Sequence, residues 1–118
     1  MPWSITVDIS KAVAVLEKLA NAAESTIPQQ ALQAGADNLA QSAASKAPVL
    51  TGALRDSIKV GGVSNTSATV EADVEYAGFV EFGTSKMSAE PYMTPGIPQA
   101  SKVLVDTATR LLNEAIRD

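Results

Sequence analysis

Chemistry at a protein site needs a nucleophile, a base or a metal ligand, and this chain of 118 residues has neither histidine nor cysteine. Ser-His and Cys-His nucleophile pairs are therefore excluded by composition. Thiolate and imidazole metal ligands are excluded with them. Ser45-Lys46 and Ser85-Lys86 put serine beside lysine, but adjacency in a chain does not set the geometry of a dyad. Carboxylates remain. Glu71, Asp73 and Glu75 alternate, which is the pattern of a strand's wet face rather than of a metal cage or a glycosidase pair. Glu81 stands apart, inside an aromatic stretch. Gly61-Gly62 lacks both the spacing and the lysine of a phosphate loop. The residues thus offer no catalytic group, metal site or cofactor site.

Two weaker features concern contacts. Arg55 and Glu81 lie in loop-flanked segments where other charges are sparse, so they are candidates for a structural ion pair joining those segments. The polar loop 84–90, with Lys86 and Met87, is either a binding element or a plain exposed connector.

The elements that must hold these residues follow from periodicity. Trp3, Ile5, Val7 and Ile9 alternate with polar residues and predict a strand at 4–9. Ser10 then caps a helix at about 11–24. Thr26-Ile27-Pro28-Gln29 has the form of a capping box, opening a second helix that runs to about Lys46, because Pro48 disfavours helix at Ala47. Leu32, Gly35, Ala36, Leu39 and Ala43 make its inward line. A turn around Thr51-Gly52 precedes Leu54. A hairpin follows, with strands at about 56–62 and 67–74.

Both phenylalanines and both tyrosines fall within residues 74–96, so this segment marks either core or contact surface. Tyr76 to Phe82 reads as a short helical turn, and Gly83 as the glycine of a backbone turn. Thr94 and Pro95 read as the N-cap and first residue of a last helix. There Ala100, Leu104, Ala108, Leu111 and Ala115 face inward, while Lys102, Asp106, Arg110 and Glu114 form a solvated stripe. Val103, Val105, Leu112 and Ile116 widen its apolar surface beyond one face.

The fold class is α+β: a small antiparallel sheet, N-terminal strand plus hairpin, packed by two Ala-rich helices and a C-terminal helix. At this length the chain is one domain, 1–118. A hydrophobic share of 46% is globular, but much of it is alanine, so the core should be thin and completed by neighbouring subunits. A net charge of −4 argues against gripping nucleic acid by its phosphates. With no signal-peptide pattern and no long apolar run, the chain should be soluble, unprocessed and free of the membrane.

Ala47-Pro48-Val49-x-Thr51-Gly52-x-Leu54-Arg55-x-Ser57-Ile58 and Tyr76-Ala77-x-Phe79-Val80-Glu81-Phe82-Gly83-Thr84-x-Lys86-Met87-x-Ala89-x-Pro91-Tyr92-Met93-x-Pro95 together resemble the twin signatures of a phage family. These are the small neck or tail-completion proteins, minor tail components of long-tailed phages, named for the tenth gene product of an HK-type phage. The resemblance implies a virion structural protein, not an enzyme, assembled in the host cytoplasm and placed at the head–tail junction. It implies a homo-oligomer, a six-fold ring between the head-closure complex and the tail terminator or tail tube. DNA would pass through the lumen without specific binding. It makes Thr84, Ser85, Lys86 and Met87 a subunit or tail contact, and places Arg55 and Glu81 on charged motif positions. Gly96 and Pro98 depart from the family's alanine-rich helix start, so that helix should begin late or kink; Leu50 stands where relatives are often polar. The competing reading is a small intracellular regulatory or inhibitor protein that binds a single partner.

Overall fold

The computed structural model describes residues 4–8, 27–48, 52–64 and 67–116. In chain order the elements are β1 (Ser4–Asp8), α1 (Ile27–Lys46), α2 (Ala53–Ser57), β2 (Ile58–Val63), β3 (Ala68–Asp73) and α3 (Ala77–Phe82). A single 3-10 turn (Thr94–Gly96) then leads into α4 (Ile97–Ile116). The helix expected at 11–24, Thr26 of the capping box and Thr51 lie outside the described residues. The α+β class holds, with β3 central in an antiparallel sheet of order β1-β3-β2. Ile5 stands opposite Ala72 and Val7 opposite Val70, while Ile58 and Val60 meet the same two β3 residues from the other side.

One face of β3, Ala68, Val70 and Ala72, is fully buried and packs under α1, which also lies along α4 over much of its length. The inward line of α1 is Pro28, Ala31, Leu32, Gly35, Ala36, Leu39 and Ala43. Residues three and four apart share a helix face, so one small-residue line serves both the sheet and the second long helix. Of the sixteen buried apolar residues among those described, nine are alanine, which lets backbones approach closely but leaves each contact with little area. Gly96 completes that approach. A Cβ there would sit 2.7 Å from Ser42 Oγ and 3.1 Å from Leu39 Cδ1.

Two boundaries differ from expectation. The stretch before the first hairpin strand is a helical turn, α2, and β2 begins at Ile58 rather than near 56. Gly52, at φ +81°, starts that turn, and its carbonyl accepts from Asp56 N–H at 2.9 Å. Between Val60 and Val63 the ladder slips. Gly61 sits at the bulge, where a Cβ would fall 2.5 Å from Thr69 Oγ1. The last helix begins at Ile97, with Pro98 in its first turn, where a missing N–H costs nothing.

Candidate functional site

Residues 76–96 gather the features that the sequence singles out. At their centre is Glu81, the one buried charged residue among those described, 3% exposed. Its Oε1 accepts from Met93 N–H at 2.8 Å and Tyr92 N–H at 3.3 Å, and its Oε2 accepts from Thr94 N–H at 3.3 Å. These donors stand at the start of the 3-10 turn and α4, where N–H groups have no helical acceptor and the helix dipole favours negative charge. A carboxylate from α3 thus closes the start of α4. Tyr92, fully buried, donates its hydroxyl to Ala77 O at 3.0 Å and ties the same elements a second time. Burial, then the neighbouring Glu81 charge, hold the Tyr92 phenol well above its ordinary pKa, so it remains a donor.

This arrangement corrects two expectations. Arg55 and Glu81 do not pair. Arg55, on the outer side of α2, meets its neighbour Asp56 at 3.4 Å, a solvent-facing contact, whereas Glu81 points inward to backbone donors. A buried carboxylate needs hydrogen-bond donors, and free N–H groups at a helix start supply them without burying a second charge. Thr94 is not an N-cap. Met93 occupies that position without a side-chain bond, and Thr94 is the first residue of the 3-10 turn. The signal that was available is a lone glutamate inside Phe-Val-Glu-Phe followed by a proline-marked helix start.

The loop after α3 is a closed turn. Gly83, at φ +76°, ends the helix and lets the chain fold back, with Ala89 N and Met87 O only 2.8 and 2.9 Å from where its Cβ would be. Thr84 N–H donates to Met87 O at 2.8 Å and Met87 N–H to Thr84 O at 3.3 Å, so Ser85 and Lys86 form a two-residue tip. Lys86 N–H also donates to Thr84 Oγ1 at 3.2 Å. Further on, Glu90 N–H donates to Val80 O at 2.8 Å and returns the loop to α3. Thr84, Ser85, Lys86 and Met87 are all exposed.

Outside that frame the aromatic residues divide. Tyr92 is core, but Phe82 is 72% exposed, Phe79 55% and Tyr76 38%. Tyr76, Phe79 and Phe82 follow at steps of three, which sets neighbouring rings side by side along a helix. They form an outward ridge next to the Thr84–Met87 turn, where Met87 adds further exposed apolar surface.

Nothing in the described residues arranges reactive groups. No three carboxylates come together in a way that could hold a metal ion. Ser45 Oγ donates to Ser42 O at 2.8 Å, a local backbone bond. On the sheet, Glu71 is half-buried and Asp73 exposed, while Glu75 lies exposed in the turn beyond β3. A shallow cleft of about 390 Å³ along α4 is lined by Asp106, Thr109, Arg110, Asn113 and Glu114, of which Arg110 and Glu114 pair at 3.3 Å. No described helix is long and apolar enough to cross a membrane. The site is an exposed apolar ridge on a hydrogen-bonded frame.

Comparison with known proteins places the chain in one family. A family described as "Bacteriophage HK97-gp10, putative tail-component" matches residues 10–83, well over half the chain. That span contains α1, the sheet hairpin, Glu81 and the whole ridge, and ends at Gly83. No curated protein and no solved structure matches the chain.

Proposed function

Since the chain belongs to the bacteriophage HK97-gp10-like family of tail components, we propose that it is a structural subunit at the head–tail junction of a long-tailed phage or prophage. In this reading, copies form a ring, with six the expected number, between the head-closure complex and the tail terminator, and DNA passes through the opening. The mechanism is geometric. Beyond the family, the supporting observation is the ridge Tyr76–Phe79–Phe82, three rings turned outward from a backbone that Glu81 pins in place. Contiguous apolar surface on a small chain marks a protein contact. The net charge of −4 suits a conduit that must not retain phosphates.

Deleting the gene and imaging the lysate by electron microscopy tests the placement. Filled heads and complete tails that fail to join are expected, with joining restored by adding the purified chain. Missing or malformed tails would keep the tail-component role and defeat the junction. Normal infectious particles would defeat both.

A further inference from the structure

Exposure along the ridge rises in one direction, from 38% at Tyr76 to 55% at Phe79 and 72% at Phe82. The less exposed end adjoins the sheet, because Tyr76 follows the last residue of β3, Asp73, by three positions. There α3 lies beside β1. β1 runs antiparallel to β3 with Ser4 opposite Asp73, so the chain that precedes Ser4 leaves β1 at the end where β3 gives way to α3. Those residues, 1–3, lie outside the described residues, and the third of them is the single tryptophan of the sequence.

Register, reach and area each bear on where that tryptophan goes. Ile5 stands opposite buried Ala72, and residues two apart share a face of a strand. Two positions on from Ala72 is Val74, half-buried and packed against the core, so continuing the ladder brings Trp3 to Val74 on the face that carries the core. A strand residue advances about 3.3 Å, and three of them span about 10 Å. That is close to the length of α3, whose six residues rise about 9 Å. The open surface of Tyr76 and Phe79 is roughly 200 Å² from their exposures, and an indole buries about the same area. Tryptophan is, on average, among the more deeply buried residues of folded chains.

We propose that residues 1–3 extend β1 toward α3 and that the Trp3 indole covers Tyr76 and Phe79, the sheet end of the ridge. Phe82, the most exposed of the three rings and one turn farther along α3, stays open beside exposed Met87. The surface left for another protein is then Phe82, Met87 and the Thr84–Met87 turn rather than the whole ridge. This placement belongs to the single chain, so it stands or falls independently of the head–tail assignment.

With one tryptophan in the sequence, the indole fluorescence of the purified full chain reports Trp3 alone. Acrylamide should quench it weakly in the folded chain, and Phe79→Ser should raise the quenching constant severalfold. Phe79 is more than half in water, so that variant should keep the wild-type circular dichroism. Val105→Ser, at the exposed apolar position on α4, should leave the quenching unchanged. In the unsubstituted chain, proton NOEs are expected from the indole to the rings of Tyr76 and Phe79. A folded chain whose indole is quenched as freely as in urea would overturn the placement. A shielded indole that ignores Phe79→Ser and shows no such NOE would overturn it too, by putting Trp3 in the core. Shielding that appears only as protein concentration rises would overturn it in favour of cover by a second copy.

Discussion

The α1–sheet–α4 core and the 76–96 segment are held by different physics. In the core, α1 meets β3 and α4 through alanines, leucines and a glycine, and cohesion comes from apolar area and close approach. Around Glu81 the cohesion is polar, three backbone donors on one carboxylate and a buried tyrosine hydroxyl on a carbonyl. Apolar packing tolerates small changes of shape, whereas a buried charge depends on every donor around it. The polar part of the molecule is the part that turns hydrophobic rings toward solvent. A stretch this rich in exposed rings has little apolar burial left to fix its own backbone, so directional bonds fix it instead.

Breaking each region in turn sharpens the contrast. The largest effect is expected from Leu39→Ala, a fully buried side chain in α1. It should cost about 3 kcal/mol and appear as a lower urea midpoint shared by all probes. Glu81→Gln comes next. The amide keeps one acceptor but turns a donor toward one of the three N–H groups, at a cost of about 2 kcal/mol. Amide exchange of Tyr92, Met93 and Thr94 should quicken while α1 stays protected. Uniform loss of protection would show instead that the two regions unfold as one.

Tyr92→Phe should cost about 1 kcal/mol, by leaving the Ala77 carbonyl without its donor. The same variant tests the effect of pH. Because the phenol is raised in the folded chain, its contribution is complete below about pH 10, the unfolded value, and fades as pH climbs through the folded one. The gap in melting temperature between wild type and Tyr92→Phe should therefore narrow under strongly alkaline conditions. The smallest effect on stability belongs to Phe82→Ser. Its ring is largely in water, so unfolding free energy should move by no more than about 0.5 kcal/mol, even if joined-particle yield falls sharply.

The sequence made the core legible and the polar joint only half so. Period-two alternation in 68–74 and the spacing of Leu32, Gly35, Ala36, Leu39 and Ala43 predict both the sheet and the inward face of α1, because burial imposes those periods. The short helix at 77–82 and the turning glycines Gly52 and Gly83 were visible for similarly local reasons. The role of Glu81 was not. Its acceptors are satisfied by backbone N–H groups eleven to thirteen residues away, and backbone donors have no residue type to betray them. A search among side chains instead finds Arg55, the wrong partner. Nor could composition divide the aromatics, since Tyr92 and Phe82 differ in burial only through the fold that surrounds them.

One consequence follows from three donors sharing a single side chain. Separating α4 from α3 withdraws one carboxylate, so the bonds are lost as a set and no half-released arrangement satisfies the N–H groups left behind. The joint therefore behaves as a latch rather than a hinge. Tension applied to the C-terminal helix would be borne stiffly up to a threshold and then given up in a single step.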